Sequence, residues 1–171
     1  MQWKDGDIDG VVIRRITRHD DSRGWLAELF RQDEILAGFM PVMGYVSVTK
    51  PGVTRGPHEH REQTDCFAFV GPGTFMLRLW DSRPGSPSNG RRMTRILGIH
   101  EPHVVIVPPG VVHAYTNICF IDAWVLNFPD ALFRGAGRME PADEIRHEDM
   151  PGSPYSMETE DEGGPPCVTE R

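Results

Sequence analysis

Cysteine is scarce and scattered: Cys66, Cys119 and Cys167 lie far apart in a chain of 171 residues, with no C-x-x-C pair. An odd, dispersed set does not make a disulfide framework, and the expectation is a reducing, cytoplasmic setting. Long apolar runs are also missing. None approaches the roughly 20 residues of a membrane span, so no bilayer crossing by a helix is expected. The opening MQWKDGDIDG lacks the apolar stretch of a secretory signal. Basic charge is in deficit, with 18 Lys and Arg against 25 Asp and Glu and a net charge of −7. That excludes a sequence-wide basic field for nucleic acid and leaves room only for a local basic pocket. Internal repeats and heptads are absent too.

Fifteen prolines and eighteen glycines are plentiful by contrast, and they cut the chain into short stretches rich in Val, Ile, Phe and Trp. This rhythm predicts an all-β domain. The expected strands are GYVSVTK (44–50), DCFAFV (65–70), TFMLRLWD (74–81), TRILGI (94–99), HVVIVP (103–108) and DAWVLNF (122–128). In TFMLRLWD one face carries Phe75, Leu77 and Leu79, and the other carries Met76, Arg78 and Trp80. That is the alternation of a half-buried antiparallel strand, with the second face read as the one able to line a pocket. Only RQDEILAGF (31–39) has a helical pattern, so few and short helices are expected. A chain of this length buries roughly 70 % of its surface in one core, and residues 1–148 are read as a single domain. From Asp149 onward the composition is acidic and rich in Pro, Gly and Ser, which predicts a tail, 149–171, loose or ordered only by a partner.

The stretch RGPHEHREQTD (55–65) concentrates ionisable groups after a glycine-rich turn. In a strand His58 and His60 share a face, while downstream Pro108, Gly110, His113 and Asn117 follow the spacing P-x-G-x-x-H-x-x-x-N. Together the two patterns resemble the paired signature motifs of the cupin superfamily. The resemblance implies a small antiparallel β-barrel or jelly roll whose motifs face each other across its interior. Two histidines on one strand face and a third from a facing strand, with a carboxylate, form a donor set for one divalent ion. His58, His60, Asp65 and His113 are that set. The other reading leaves His60 and Asp65 solvated at the barrel mouth.

Four consecutive blocks, DSRGWLAELF (21–30), GVTRGPH (52–58), WDSRPGSP (80–87) and VIVPPGVVHAY (105–115), resemble the dTDP-4-dehydrorhamnose 3,5-epimerase family in the family's order. That resemblance implies a cupin that acts on a nucleotide-linked keto sugar without a metal cofactor. It assigns Arg23 and Arg55 to the nucleotide diphosphate and sugar, with Glu28 in the same first block. It makes His58 the general base and His113 a sugar-binding partner. Arginine's planar donor fork suits a pyrophosphate, and an imidazole titrating near neutral pH suits proton abstraction beside a ketone.

The sequence departs from the family where Glu59 and His60 follow the histidine in place of tyrosine and glutamine. Asp65 stands where a lysine is usual, and NFPDALFRG (127–135) holds no tyrosine. Tyr115, two residues after His113, is the replacement candidate for the acid, and Arg78 for the missing cation. His19, His100 and His103 receive no role, and His147 in DEIRHE (143–148) reads as part of a solvated segment or a dimer contact. Three functions follow: an epimerase or isomerase of a nucleotide-linked 4-keto-6-deoxy sugar, a metal-dependent cupin enzyme, or a sugar-binding module without chemistry. VVIRRI (11–16) is expected to add a strand to a partner and give a homodimer.

Overall fold

The two faces of TFMLRLWD organise the whole architecture. A computed structural model describes residues 2–35 and 38–158. Its strands are β1 (Lys4–Asp5), β2 (Val12–Arg15), β3 (Arg18–Asp21), β4 (Gly24–Ala27), β5 (Tyr45–Thr49), β6 (Thr54–Glu59), β7 (Asp65–Phe69), β8 (Thr74–Asp81), β9 (Arg91–Gly98), β10 (His103–Val107), β11 (Val111–Asn117), β12 (Ala123–Asn127) and β13 (Ile145–Arg146). They form a six-stranded sheet, β1-β9-β8-β11-β6-β13, and a five-stranded sheet, β2-β10-β7-β12-β5. All pairings are antiparallel except β1 with β9. The hairpin β3–β4 stands as a separate two-stranded sheet. This is the expected all-β, cupin-type jelly roll. Ala136–Arg138 and His147–Asp149 are one-turn 3₁₀ segments.

Alternation decides which residues enter the space between the sheets. Phe75, Leu77 and Leu79 of β8 meet Phe67 and Phe69 of β7, Val105 and Val107 of β10, and Tyr115 of β11 in one core. Fully burying each large apolar side chain contributes about 1.5–3 kcal/mol. The opposite face of β8 is an outer face, correcting the expectation that it lines a pocket. Trp80 packs there with Val112 and Ala114 beneath Trp3, Tyr155 and Met157. A third cluster, Cys66, Ala68, Val104 and Ile106, covers the outside of the other sheet.

Three further expectations about the fold differ from the structure. RQDEILAGF forms a turn rather than a helix over its described residues, closed by Ile35 N–H donating to the Arg31 carbonyl; Leu36 and Ala37 lie outside the described residues. Arg31 instead pairs with its own neighbours Asp33 and Glu34, which favours a compact turn. VVIRRI does add a strand, but to its own chain, with Val12–Arg15 pairing β10. The predicted loose tail is placed as far as Glu158. Tyr155 stacks on Trp3 at 5.5 Å and meets Trp80 edge-on at 5.6 Å, and Arg78 donates to the carbonyls of Ser156 and Glu158 at 2.8 and 2.9 Å. Two aromatic contacts and a buried guanidinium supply the anchoring that the composition of this stretch does not advertise. Cys167 lies outside the described residues.

Candidate active site

β6 and β11 lie side by side, with His113 opposite His58 and Tyr115 opposite Arg55, and the register shifts between them. Gly56 makes this approach feasible. Its φ is +81°, and a Cβ there would sit 2.5 Å from the His113 carbonyl oxygen. A side chain at position 56 would therefore force the strands apart exactly between two site histidines. With glycine the imidazoles of His58 and His113 come to 4.4 Å between centroids, and His60, just beyond the end of β6, lies 5.7 Å from His58 and 6.1 Å from His113. The sequence-predicted set His58, His60, Asp65 and His113 is thus brought together at one end of the core. One nitrogen from each histidine lies within 4.8 Å of the others.

Asp65, at the start of β7, anchors the cluster. Its Oδ1 accepts from Gln63 Nε2 at 2.9 Å and Asn127 Nδ2 at 2.7 Å, and its Oδ2 lies 3.3 Å from His60 Nε2 and 3.4 Å from His113 Nε2. Burial pushes its carboxyl up, but the neighbouring His60 and His113 and the amide donors outweigh this, and it stands at about 2. Burial likewise opposes charge on His60, yet the Asp65 carboxylate prevails and raises it to about 9. His113 is fully buried and held below the ordinary imidazole value, first by desolvation. Its Nδ1 lies 3.1 Å from the Val111 carbonyl, which can only accept, so Nδ1 carries the hydrogen and Nε2 a bare lone pair.

His58 differs from the base expected of the sequence. Burial, then the neighbouring His113 and His60, holds it at about 2 rather than near neutrality. Its Nδ1 lies 3.8 Å from a carboxylate oxygen of Glu144. Glu144 belongs to DEIRHE, which is not a solvated segment. β13 pairs with β6, Ile145 opposite Glu59 and Arg146 opposite His58. Asp143 accepts backbone N–H groups of Arg61, Glu62 and Gln63 at 3.0, 2.9 and 2.9 Å, and its own carbonyl accepts from His60 Nδ1. His147 bonds Glu59 at 2.9 Å on the outer side. A two-residue strand carries no periodicity, so only the run of charges hinted at this role.

The other predicted residues divide. Tyr115 shares the inward face with His113 but sits among Phe67, Phe69 and Phe75, at ring separations of 5.3–5.9 Å. Burial raises its phenol, and the Ser47 hydroxyl tethers it. Arg55 is exposed and bridges to β5 through Thr49 Oγ1 at 3.0 Å and the Val48 carbonyl at 2.8 Å. Arg78 faces the outer side and holds residues 156–158, so it does not join the histidines. Arg23, at the hairpin tip, is 87 % exposed and pairs with Asp21 at 2.6 Å, while Glu28 meets Arg31 at 3.5 Å. Neither bonds to the histidine cluster among the described residues. Asn117 of the second motif is structural: it donates to the carbonyls of Thr49 and Ile121. Sequence reasoning missed Gln63, Asn127, Glu144 and Tyr45. The Tyr45 hydroxyl accepts from Asn127 at 2.9 Å, and burial pushes it up to about 12.

No helix among the described residues is long and apolar enough to cross a membrane. Residues 5–120 match the sequence profile of dTDP-4-dehydrorhamnose 3,5-epimerase. The chain is 34 % identical over 129 residues to the probable low-salt glycan biosynthesis epimerase Agl13 of Haloferax volcanii, covering 74 % of this chain and 81 % of that one. It is 36 % identical over 110 residues to the spore coat polysaccharide biosynthesis protein SpsL of Bacillus subtilis, covering 63 % and 70 %. In fold it is similar to a crystal structure of a dTDP sugar isomerase from Desulfovibrio desulfuricans G20, with a TM-score of 0.75 at 24 % identity over 87 % of this chain and 91 % of that one. On the profile match and the identity to Agl13 together, the chain belongs to the dTDP-4-dehydrorhamnose 3,5-epimerase family.

Proposed function

We propose that the protein epimerises a nucleotide-linked 4-keto-6-deoxy sugar, with His58 removing the proton on the carbon next to the ketone. The carrying observation is the placement of the largely buried His58 imidazole, 4.4 Å from the His113 ring and with Nδ1 3.8 Å from a carboxylate oxygen of Glu144. Abstraction moves the C–H electron pair into an enediolate and the proton onto His58. Return of a proton to the opposite face inverts the carbon. The phenols of Tyr115 and Tyr45, both raised by burial, remain protonated at neutral pH and serve as acid candidates. Arg55, three residues before the base, is the guanidinium for the diphosphate. Deuterium exchange from solvent into a dTDP-4-keto-6-deoxyhexose, read by mass spectrometry, tests the base: His58→Asn is expected to abolish it, and undiminished exchange would remove His58 from the chemistry.

Arg23 and Glu28 join this reading only through a second copy. A lone two-stranded hairpin is marginal in water, and β3–β4 exposes Trp25 at 46 % and Leu26 at 63 %, which suits docking against another chain. The expected state is a homodimer, and a monomer by light scattering at micromolar concentration would exclude it. The free Cys66 and Cys119 fit a reducing, cytoplasmic location.

A further inference from the structure

We infer that Tyr155 and His147 are positioning residues for the histidine site: residues 147–158 form a clasp, anchored on the outer face of the six-stranded sheet, that holds Glu144 against His58 and the Asp143 carbonyl against His60. Its catalytic consequence rests on the reading of His58 as the base.

The need for a clasp comes from the shortness of β13. It pairs with β6 through two residues, Ile145 and Arg146, and so short an edge strand has few backbone bonds to fix its own register. Yet Glu144, just before it, sets a carboxylate oxygen 3.8 Å from His58 Nδ1, and the carbonyl of Asp143 accepts from His60 Nδ1. The Asp143 side chain ties the leading end of this segment to the backbone of Arg61, Glu62 and Gln63. The trailing end is tied by His147.

His147 Nε2 lies 2.9 Å from Oε1 of Glu59, the neighbour of His58 in β6, and its ring lies 4.6 Å from that of Tyr155. Between the two the chain folds back, with Met150 N–H donating to the His147 carbonyl at 3.1 Å and Ser153 N–H to the Met150 carbonyl at 3.2 Å. Tyr155 is then fixed from three directions. It stacks on Trp3, meets Trp80 edge-on, both favoured aromatic geometries, and sets its hydroxyl 2.8 Å from Ser82 Oγ. Trp3 Nε1 donates to the Pro154 carbonyl at 3.1 Å, and Arg78 holds the carbonyls of Ser156 and Glu158. Trp80 and Arg78 sit on the outward side of β8 but are only 1 % and 4 % exposed. In the order β8-β11-β6-β13 the clasp thus reaches from an interior strand, across two others, to the edge that carries Glu144. A carboxylate on the Nδ1 side of His58 favours the hydrogen on that nitrogen and leaves Nε2 to take a proton. Release of the clasp would free β13 to move, and a shift of about 1 Å in reacting groups can cost a hundredfold in rate.

The test compares Tyr155→Ala, Tyr155→Phe and His147→Ala in the full chain, below their melting temperatures. Nitrogen-15 NMR of the histidine rings reads the site without substrate, with the His58 and His60 signals assigned by their loss in His58→Asn and His60→Gln. Tyr155→Ala and His147→Ala are expected to shift both histidines' signals and to lower the saturated rate of deuterium exchange into the dTDP-4-keto-6-deoxyhexose about tenfold, with KM within twofold. Tyr155→Phe keeps the ring contacts and gives up the Ser82 bond, and it is expected to keep wild-type signals and rate. A lowered melting temperature with unmoved His58 and His60 signals and a wild-type rate would make the clasp a stabilising element only and overturn the inference. Loss in Tyr155→Phe equal to that in Tyr155→Ala would overturn it too. If Tyr155→Ala does not fold, His147→Ala, at the sheet edge, decides alone. His58 signals that shift in Tyr155→Ala while exchange survives in His58→Asn would end the base reading and leave the clasp standing.

Discussion

Removing the carboxylate of Asp143 should loosen both the fold and the site, because one side chain closes the loop that carries His60. It accepts three backbone N–H bonds, from Arg61, Glu62 and Gln63, while its backbone carbonyl holds His60 Nδ1. A hydrogen bond to a charged group is worth about 1.5–3 kcal/mol net, but these three share one partly exposed acceptor and do not add. Asp143→Ala is therefore expected to lower stability by about 2–3 kcal/mol, and Asp143→Asn, which keeps one carbonyl acceptor without the charge, by about half that. The assay is urea unfolding, read as a fall in midpoint at unchanged slope. A pH series supplies an internal control. Burial pushes the Asp143 carboxyl up, but the three donors outweigh it and hold it below the usual carboxylate range. A depressed value means that its contribution is fully present above the unfolded pKa, near 4, and is lost as pH falls through the folded one. The gap between wild type and Asp143→Ala should thus close in acid. A gap under about 0.5 kcal/mol at pH 7, the scatter of an ordinary surface substitution, would refute the clamp.

Gly56→Ala should destabilise by at least the 1–3 kcal/mol typical of a residue forced into a sparsely populated backbone region, and should slow deuterium exchange, because β6 must retreat from the His113 carbonyl. Circular-dichroism melting together with the exchange rate checks both, and an unchanged melting temperature counts against the close approach. Arg55→Ala should weaken dTDP binding by about 1.5–3 kcal/mol with little change in stability, since its side chain is exposed. Calorimetry with dTDP decides this, and unaltered affinity removes Arg55 from the site.

The strands were legible because alternation is a local property. TFMLRLWD matches β8 residue for residue, and the inward histidine of PPGVVHAY followed from the same period. What alternation cannot tell is which of two apolar faces meets the core: Met76, Arg78 and Trp80 are as buried as their neighbours, under Trp3 and Tyr155. That is why Arg78 was placed in a pocket and lies instead beneath residues 156–158. The convergence of His58, His60, Asp65 and His113 was readable because two motifs with fixed spacings sit on paired strands. Glu144 and Asp143 were not readable, since their roles come from a two-residue pairing with β6 across more than 80 residues of chain. Helical spacing in RQDEILAGF failed for a related reason: short acidic side chains next to Arg31 satisfy it within one turn.

For His58 to act as the base proposed above, an imidazole held at about 2 must take up a proton at neutral pH. Its low value has two sources, burial and the neighbouring His113 and His60, and both act against an isolated positive charge. A proton arriving from the substrate is not isolated, because the enediolate it leaves behind is an anion in the same water-poor site. Attraction at a few ångströms in low dielectric is far stronger than in water, so the ion pair forms where a lone imidazolium would not. The same physics keeps Tyr45 and Tyr115 protonated, since burial disfavours a phenolate as it disfavours an imidazolium. In that proposal burial pushes the values of the base and the candidate acids apart, the base empty and the acids loaded before substrate arrives. A base that cannot retain its proton once the enediolate is quenched must give it up at the end of each turnover, and the inverted carbon draws its new proton from the opposite side. That division suits inversion at a carbon, in which a proton leaves one face and another enters the other.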